Sequence, residues 1–260
     1  MNLSDLAAKG AAPAGFVLTL ALRAADDAWL TPFAHGLATD SRAFGCPLLG
    51  GDTVSTPGPV MISITAFGRV APGQMVRRSG ARPGDRVVVT GTIGDAALGL
   101  DILRGGRVTA ALAGDPAARK MLTDRYRVPQ PRNALVQALR DHAHAGMDVS
   151  DGLAGDLAKL CAASGVSAVI DVPGIPTSLA AAAVLAAGAV DMESLISGGD
   201  DYEILCAIPE DDFEAFAHAA EIAGVAVSSI GTVIASASAP KFLDAQGRDM
   251  PLSRRSYSHF

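Results

Sequence analysis

Three short acidic strings, far apart in the chain, place carboxylates beside small or hydroxyl residues: Asn2-Leu3-Ser4-Asp5, Gly50-Gly51-Asp52-Thr53 and Met147-Asp148-Val149-Ser150-Asp151-Gly152-Leu153. Such oxygens are hard donors, suited to Mg²⁺ rather than to zinc. A cation of that kind makes a polyphosphate the first ligand to consider. A P-loop is excluded, because no Gly-x-x-x-x-Gly-Lys-Ser/Thr string occurs and the only lysines are Lys9, Lys120, Lys159 and Lys241. That mechanism needs a lysine on the β and γ phosphates at the tip of a glycine loop. Charge neutralisation must then come from metals, with Asp5, Asp52, Asp148 and Asp151 as candidate ligands. Each can hold Mg²⁺ while phosphate and water complete an octahedron. Each also has a structural reading: Asp5 and Asp151 as helix caps, Asp52 as a turn residue.

Other features read as structure. Asp26-Asp27-Ala28 imitates a metal motif but precedes the helix that carries Trp29, so capping suits it better. Gly91-Thr92-Ile93-Gly94 resembles a phosphate turn yet lacks the full glycine fingerprint and reads as a tight connection. His142 and His144 fall near a helix end, His35 and His218 on the surface. Cys46, Cys161 and Cys206 are odd in number and widely spaced, as expected of reduced, buried thiols.

A formal charge of -6 argues against a general nucleic-acid surface. The Ala-rich run from Leu179 to Val190 is cut short by Asp191 and Glu193 before it could cross a membrane. The first residues carry no secretory pattern, so a cytoplasmic location is expected.

The elements that must position these residues follow from periodicity and turn chemistry. Helices are expected over Asn2–Ala11 and Asp26–Phe44, with strands over Gly15–Leu22, Cys46–Gly50 and Val60–Val70. The Pro- and Gly-containing stretch Arg82-Pro83-Gly84-Asp85 marks a boundary between residues 1–83 and residues 84–260. Beyond it, Arg86–Gly91 reads as a buried strand, followed by a helix from Asp95, a helix ending at His144 and a strand into Met147-Asp148-Val149. Leu153, Leu157 and Leu160 sit at helical spacing, which puts the third acidic string at a helix N-terminus. Strands at Ser167–Val172, Tyr202–Ile208 and Ala226–Ile234, with helices at Thr177–Ala187 and Asp211–Ala223, complete an α+β chain.

The order and wording of these strings resemble the thiamine-monophosphate kinases, in the superfamily of aminoimidazole ribonucleotide synthetase and selenophosphate synthetase. The likeness runs from Asn2-Leu3-Ser4-Asp5-Leu6-Ala7-Ala8 through Gly50-Gly51-Asp52-Thr53, Arg78-Ser79-Gly80-Ala81, Gly94-Asp95-Ala96-Ala97, Pro131-Arg132 and Met147 to Leu153. It continues through Ser197-Gly198-Gly199 and Asp201-Tyr202-Glu203 to His259-Phe260. It implies a two-domain aminoimidazole ribonucleotide synthetase-like fold whose N-terminal halves pair into a dimer. The implied reaction is ATP-dependent phosphorylation of thiamine monophosphate to thiamine diphosphate with Mg²⁺. By the same resemblance Asp5, Asp52, Asp148 and Asp151 are metal ligands, Gly51, Asp52, Arg78 and Ser150 contact ATP, and Asp200 and Tyr257 contact the vitamin.

The chain departs from the family pattern at Lys9, where methionine is usual, and at Asp200, where glutamate is. The family also has a segment ahead of Asn2 with further metal-binding carboxylates. The expectation is therefore an incomplete N-terminal domain, and a chain that by itself shows little kinase activity while retaining weak Mg-nucleotide binding. A non-catalytic remnant that binds nucleotide or a partner subunit is the alternative, as is another ATP-dependent enzyme of the superfamily.

Overall fold

The computed structural model describes residues 1–254 and 256. Its elements, in chain order, are α1 (Asn2–Ala8), β1 (Ala12–Leu22), α2 (Asp27–Ala43), β2 (Leu48–Ser55), β3 (Met61–Arg69), β4 (Arg86–Thr90), α3 (Asp95–Leu103), α4 (Arg107–Ala111), α5 (Pro116–Arg127), α6 (Val136–His142), β5 (Ala145–Asp148), α7 (Leu153–Ser164), β6 (Ser167–Asp171), α8 (Leu179–Ala186), α9 (Met192–Ile196), β7 (Ile204–Ile208), α10 (Phe213–Ile222), β8 (Val227–Ile234) and β9 (Lys241–Leu243). They form an α+β fold around two sheets. One has the order β2-β1-β3, the other β5-β7-β4-β8-β6-β9.

In the first sheet β1 runs parallel to β2 and antiparallel to β3. Phe16, Leu18, Leu20 and Leu22 recur at every second position of β1 and pack with Cys46 against Leu30, Phe33 and Leu37 of α2, because alternate strand residues share a face. Helix α2 starts where expected: the Asp26 carboxylate accepts the Ala28 amide at 3.0 Å, satisfying one orphan donor of the first turn.

The second sheet is covered on both faces. Val87, Val89, Met147, Leu205 and Ala207 face α7 through Leu153, Leu157, Leu160 and Cys161. The interleaved Val88, Ile204, Cys206 and Ile208 pack with Leu135, Leu139 and Phe216 on the other side. Ala7 and Ala8 of α1 join this second cluster, both fully buried. Helix α1 is thus wedged between the two sheets, since it also contacts β1 and β3. A third apolar cluster joins α3, α4, α5 and α8 through Leu98, Val108, Leu112, Leu122, Ala181 and Val184.

Several boundaries differ from the expectations. Helix α1 ends at Ala8, with Lys9 as its cap, because Gly10 turns the chain at φ +65°. Strand β2 begins two residues later than expected and continues to Ser55, so Asp52 is a strand residue paired with Thr19 and not a turn residue. Strand β7 begins at Ile204 instead of Tyr202, because Tyr202 is in the left-handed region. Helices α4, α5 and α9 and strand β9 had no sequence expectation. No helix among the described residues is long and apolar enough to cross a membrane.

Candidate functional site

The third acidic string forms the bend between β5 and α7. Asp148 ends β5, Ser150 and Asp151 make the turn, and Gly152 precedes the helix at φ +108°. A Cβ on Gly152 would lie 2.7 Å from the Ser197 carbonyl carbon, so only glycine suits both the torsion and the space. The facing loop comes equally close: a Cβ on Gly199 would meet the Ser150 carbonyl oxygen at 2.4 Å. The two loops are tied backbone to backbone. The Asp200 amide donates to Ser150 O and the Tyr202 amide to Val149 O, each at 2.9 Å, and the Val149 amide donates to Glu203 O at 2.8 Å.

Asp200 and Tyr202 hold this position at φ +70° and +51°, a conformation that costs a non-glycine residue about 1–2 kcal/mol. Their neighbours hold them there. The Asp201 carboxylate is buried at the N-terminus of α3, where it accepts the Gly94 amide at 2.8 Å and the Ala96 amide at 3.2 Å. Burial pushes its acid up to about 8 against the pull of those amides. The turn from Gly91 to Gly94 is accordingly a connection filled from within by this carboxylate. Glu203, fully buried, receives the Thr90 hydroxyl at 2.6 Å, the Arg125 guanidinium at 2.7 Å and the Arg132 guanidinium.

Helix α1 brings Asp5 to the same bend, and its preceding residue anchors it: the buried Ser4 hydroxyl donates to Tyr202 O at 3.1 Å. The Asp5 and Asp148 carboxyl groups lie close enough for the charge of Asp5 to bear on Asp148. Asp148 is pushed up to about 6, first by burial and then by the charge of Asp5. The buried Tyr202 hydroxyl, which donates to Asp200 Oδ1 at 3.0 Å, is raised by burial and then by Asp200, with Asp148 and Asp151 adding to it. Asp148, Asp151 and Asp200 are thus each near enough to Tyr202 for their charges to bear on its hydroxyl.

Lys9 enters from the end of α1 and donates its Nζ to Gly146 O at 2.7 Å. Burial and then the nearby Arg78 lower its pKa, while Asp148 and Asp5 draw it back up. Arg78 is thus near enough to Lys9 for the two cations to repel each other. Asp151 is held by Lys159 Nζ at 2.5 Å and does not cap α7. Gly51 and Asp52 lie on the exposed strand β2, where the Asp52 carboxylate accepts the Thr53 amide at 2.8 Å. Among the described residues, no three His, Cys, Asp or Glu side chains converge to hold a metal ion. The four expected ligands are thus not assembled as one set; Asp5 and Asp148 are the pair brought together. Tyr257 lies outside the described residues.

Sequence reasoning passed over Tyr202, Asp156 and Lys159, all of which touch the site loops. The string Asp200-Asp201-Tyr202-Glu203 was a signal, but nothing local showed that its residues alternate between left-handed turns and buried carboxylates.

The sequence matches the patterns of two families, "AIR synthase related protein, N-terminal domain" over residues 1–70 and "AIR synthase related protein, C-terminal domain" over residues 82–239. It is 44% identical over 262 residues to the thiamine-monophosphate kinase of Caulobacter vibrioides, a match covering 99% of this chain and 72% of that protein. The crystal structure of thiamine-monophosphate kinase from Stenotrophomonas maltophilia superimposes with a TM-score of 0.85 at 36% identity, over 96% of this chain and 77% of that one. A structure described as AaThiL complexed with AMPPCP and TMP superimposes with a TM-score of 0.82 at 26% identity, over 100% of this chain and 77% of that one. The chain belongs to the AIR synthase related proteins and, within them, to the thiamine-monophosphate kinase family.

Proposed function

We propose that this chain transfers the γ-phosphoryl group of ATP to thiamine monophosphate, giving thiamine diphosphate and ADP. The observation that carries the reading is the Asp5–Asp148 pair, set beside Ser150 and Asp200 in a chain 44% identical to a thiamine-monophosphate kinase. AMPPCP and TMP, bound together by AaThiL, correspond to the donor and acceptor of this reaction.

The residues present fit a hard divalent cation. Burial and the charge of Asp5 raise the Asp148 carboxyl, the local donors are oxygens, and among the described residues no Cys or His gathers with them. Mg²⁺ binds through one or two protein carboxylates and leaves other positions to phosphate and water. Asp5 and Asp148 would hold it, with Asp151 and Asp52 as further ligands. The chemistry that such a cation supplies is relief of the repulsion between two anionic phosphates.

The protein's own groups bind and orient. Gly51, Asp52, Arg78 and the Ser150 hydroxyl engage the nucleotide, and Asp200 with Tyr257 engages the vitamin. No general base is required, because the acceptor phosphate, with a second pKa of about 6, is largely ionised at neutral pH and its oxygen attacks directly. Positioning is then the main remaining contribution of the protein.

Residues 1–83 serve as an ATP- and Mg-binding and dimerisation domain, and residues 84–260 as the C-terminal domain. The open face of the three-stranded sheet, with Val17, Met61 and Phe67 exposed, supports a homodimer formed through that sheet. The setting of the reaction is the cytoplasm.

The test is ATP-dependent formation of thiamine diphosphate from thiamine monophosphate, followed chromatographically, together with calorimetric binding of AMPPCP in Mg²⁺. Product that appears only with both ATP and Mg²⁺ is expected. Absence of both transfer and nucleotide binding in folded protein would overturn the proposal.

A further inference from the structure

The bend that carries Ser150 and Asp151 is held from inside by two residues with no assigned part in the reaction. Asp156 lies in the first turn of α7 and is fully buried. Its Oδ2 accepts both the Ser150 and the Asp151 amides at 2.9 Å. Its Oδ1 accepts Lys159 Nζ at 2.8 Å, and the same ammonium reaches Asp151 Oδ2 at 2.5 Å. Consecutive amides at a helix N-terminus ordinarily form a nest for an external anion. Here an internal carboxylate fills that nest, so Ser150 is left to meet a nucleotide through its hydroxyl rather than its amide.

Helix capping alone does not account for the arrangement. The capped amides belong to the residues that carry the site groups, and Lys159 bridges the buried carboxylate to the carboxylate of Asp151. A buried carboxylate is costly unless paired and hydrogen-bonded, and every partner that stabilises Asp156 also constrains the bend. We propose that Asp156 and Lys159 are positioning residues for phosphoryl transfer, Asp156 setting the backbone of Ser150 and Asp151 and Lys159 setting the direction of the Asp151 carboxylate. This inference rests on the reading above of Ser150 as a nucleotide contact and of Asp148 and Asp151 as cation ligands.

Asp156→Asn keeps an oxygen for the two amides but turns an amide group toward Lys159. Lys159→Met removes only the ammonium, from a side chain 41% exposed, and leaves Asp156 held by the Ser150 and Asp151 amides, with circular dichroism checking that the fold is kept. Mg²⁺ affinity in the presence of AMPPCP, measured by titration calorimetry, is expected to fall about tenfold or more in each variant, the usual cost of losing a group that orients a metal ligand. The KM for thiamine monophosphate should stay within twofold of the parent, and the double variant should be no worse than the weaker single one, since both act through one clamp. Lys159→Arg should recover most of the loss.

Mg²⁺ affinity within twofold of the parent in Lys159→Met would overturn the inference, as would equal losses in Lys159→Met and Lys159→Arg. Asp148→Asn, assayed alongside, separates the two levels. Full transfer by that variant sinks the reading of the site itself, whereas an inactive Asp148→Asn beside an unaffected Lys159→Met sinks the positioning role alone.

Discussion

Asp148 sits at the end of a fully buried strand with the Asp5 carboxyl beside it, and that placement gives the site a pH signature. Its folded pKa, about 6, lies above its ordinary 3.8, so the folded protein favours the protonated acid. The stability this contributes is fully present below about pH 4 and is lost as the pH rises through about 6. Metal-free protein should therefore lose melting temperature across that window relative to Asp148→Asn, in which the group cannot titrate. Superimposable pH-stability curves for the two proteins would contradict this. Cation binding needs the ionised form, so the apparent Mg²⁺ affinity should weaken as the pH falls through this window, which titration calorimetry measures. Asp148→Asn and Asp52→Asn should each abolish transfer while circular dichroism shows an intact fold; near-normal turnover removes the residue from the metal set. Tyr257→Ala should raise the KM for thiamine monophosphate more than the KM for ATP, since an aromatic face also favours a cationic ring, and an equal rise in both would point to a packing role.

At the scale of elements, the site depends on two loops stacked by their backbones, residues 148–151 and residues 198–203. Glycines at 152 and 199 permit the approach, and Ser4 pins α1 to the second loop. Glu203 is the anchor on the far side: its buried carboxylate gathers Arg125 from α5, Arg132 from the segment before α6 and Thr90 from the end of β4. Its removal leaves two guanidinium groups facing an empty, water-poor space. Glu203→Ala should cost about 3–5 kcal/mol of unfolding free energy, the range for breaking a buried ion pair by deleting one partner. Urea denaturation measures it, and a loss below 1 kcal/mol would mean that the cluster behaves like a surface pair.

For the whole molecule, the two sheets differ in how their faces are closed. The six-stranded sheet is sandwiched between α7 on one side and α1, α6 and α10 on the other. The three-stranded sheet is covered by α2 on one face only, and the opposite face exposes Met61 at 55% and Phe67 at 46%. Both its edge strands also offer unpaired backbone groups. The parent should sediment as a dimer and the double variant Met61→Glu, Phe67→Glu as a folded monomer; identical sedimentation of the two would move the interface elsewhere.

The amino-acid sequence by itself determined whatever depends on near neighbours along the chain. Leu153, Leu157 and Leu160 marked the inward face of α7, the unbroken Val87-Val88-Val89 run within Arg86–Gly91 marked a buried strand, and Asp26 marked the start of α2. The wording of the acidic strings pointed to the family and to the carboxylates worth testing. Sequence could not show that Asp52 lies within a strand, because the expected strand ends at Gly50 and only the parallel pairing with β1 carries it on through Asp52 to Ser55. Nor could it show that Asp5 and Asp148 meet, that Lys159 engages Asp151, or that Tyr202 adopts a left-handed backbone. Those are contacts between segments remote in sequence, fixed when burial of the two cores presses α1, the β5–α7 bend and the Gly199 loop together. A carboxylate's partner, and with it its pKa, is a property of that convergence.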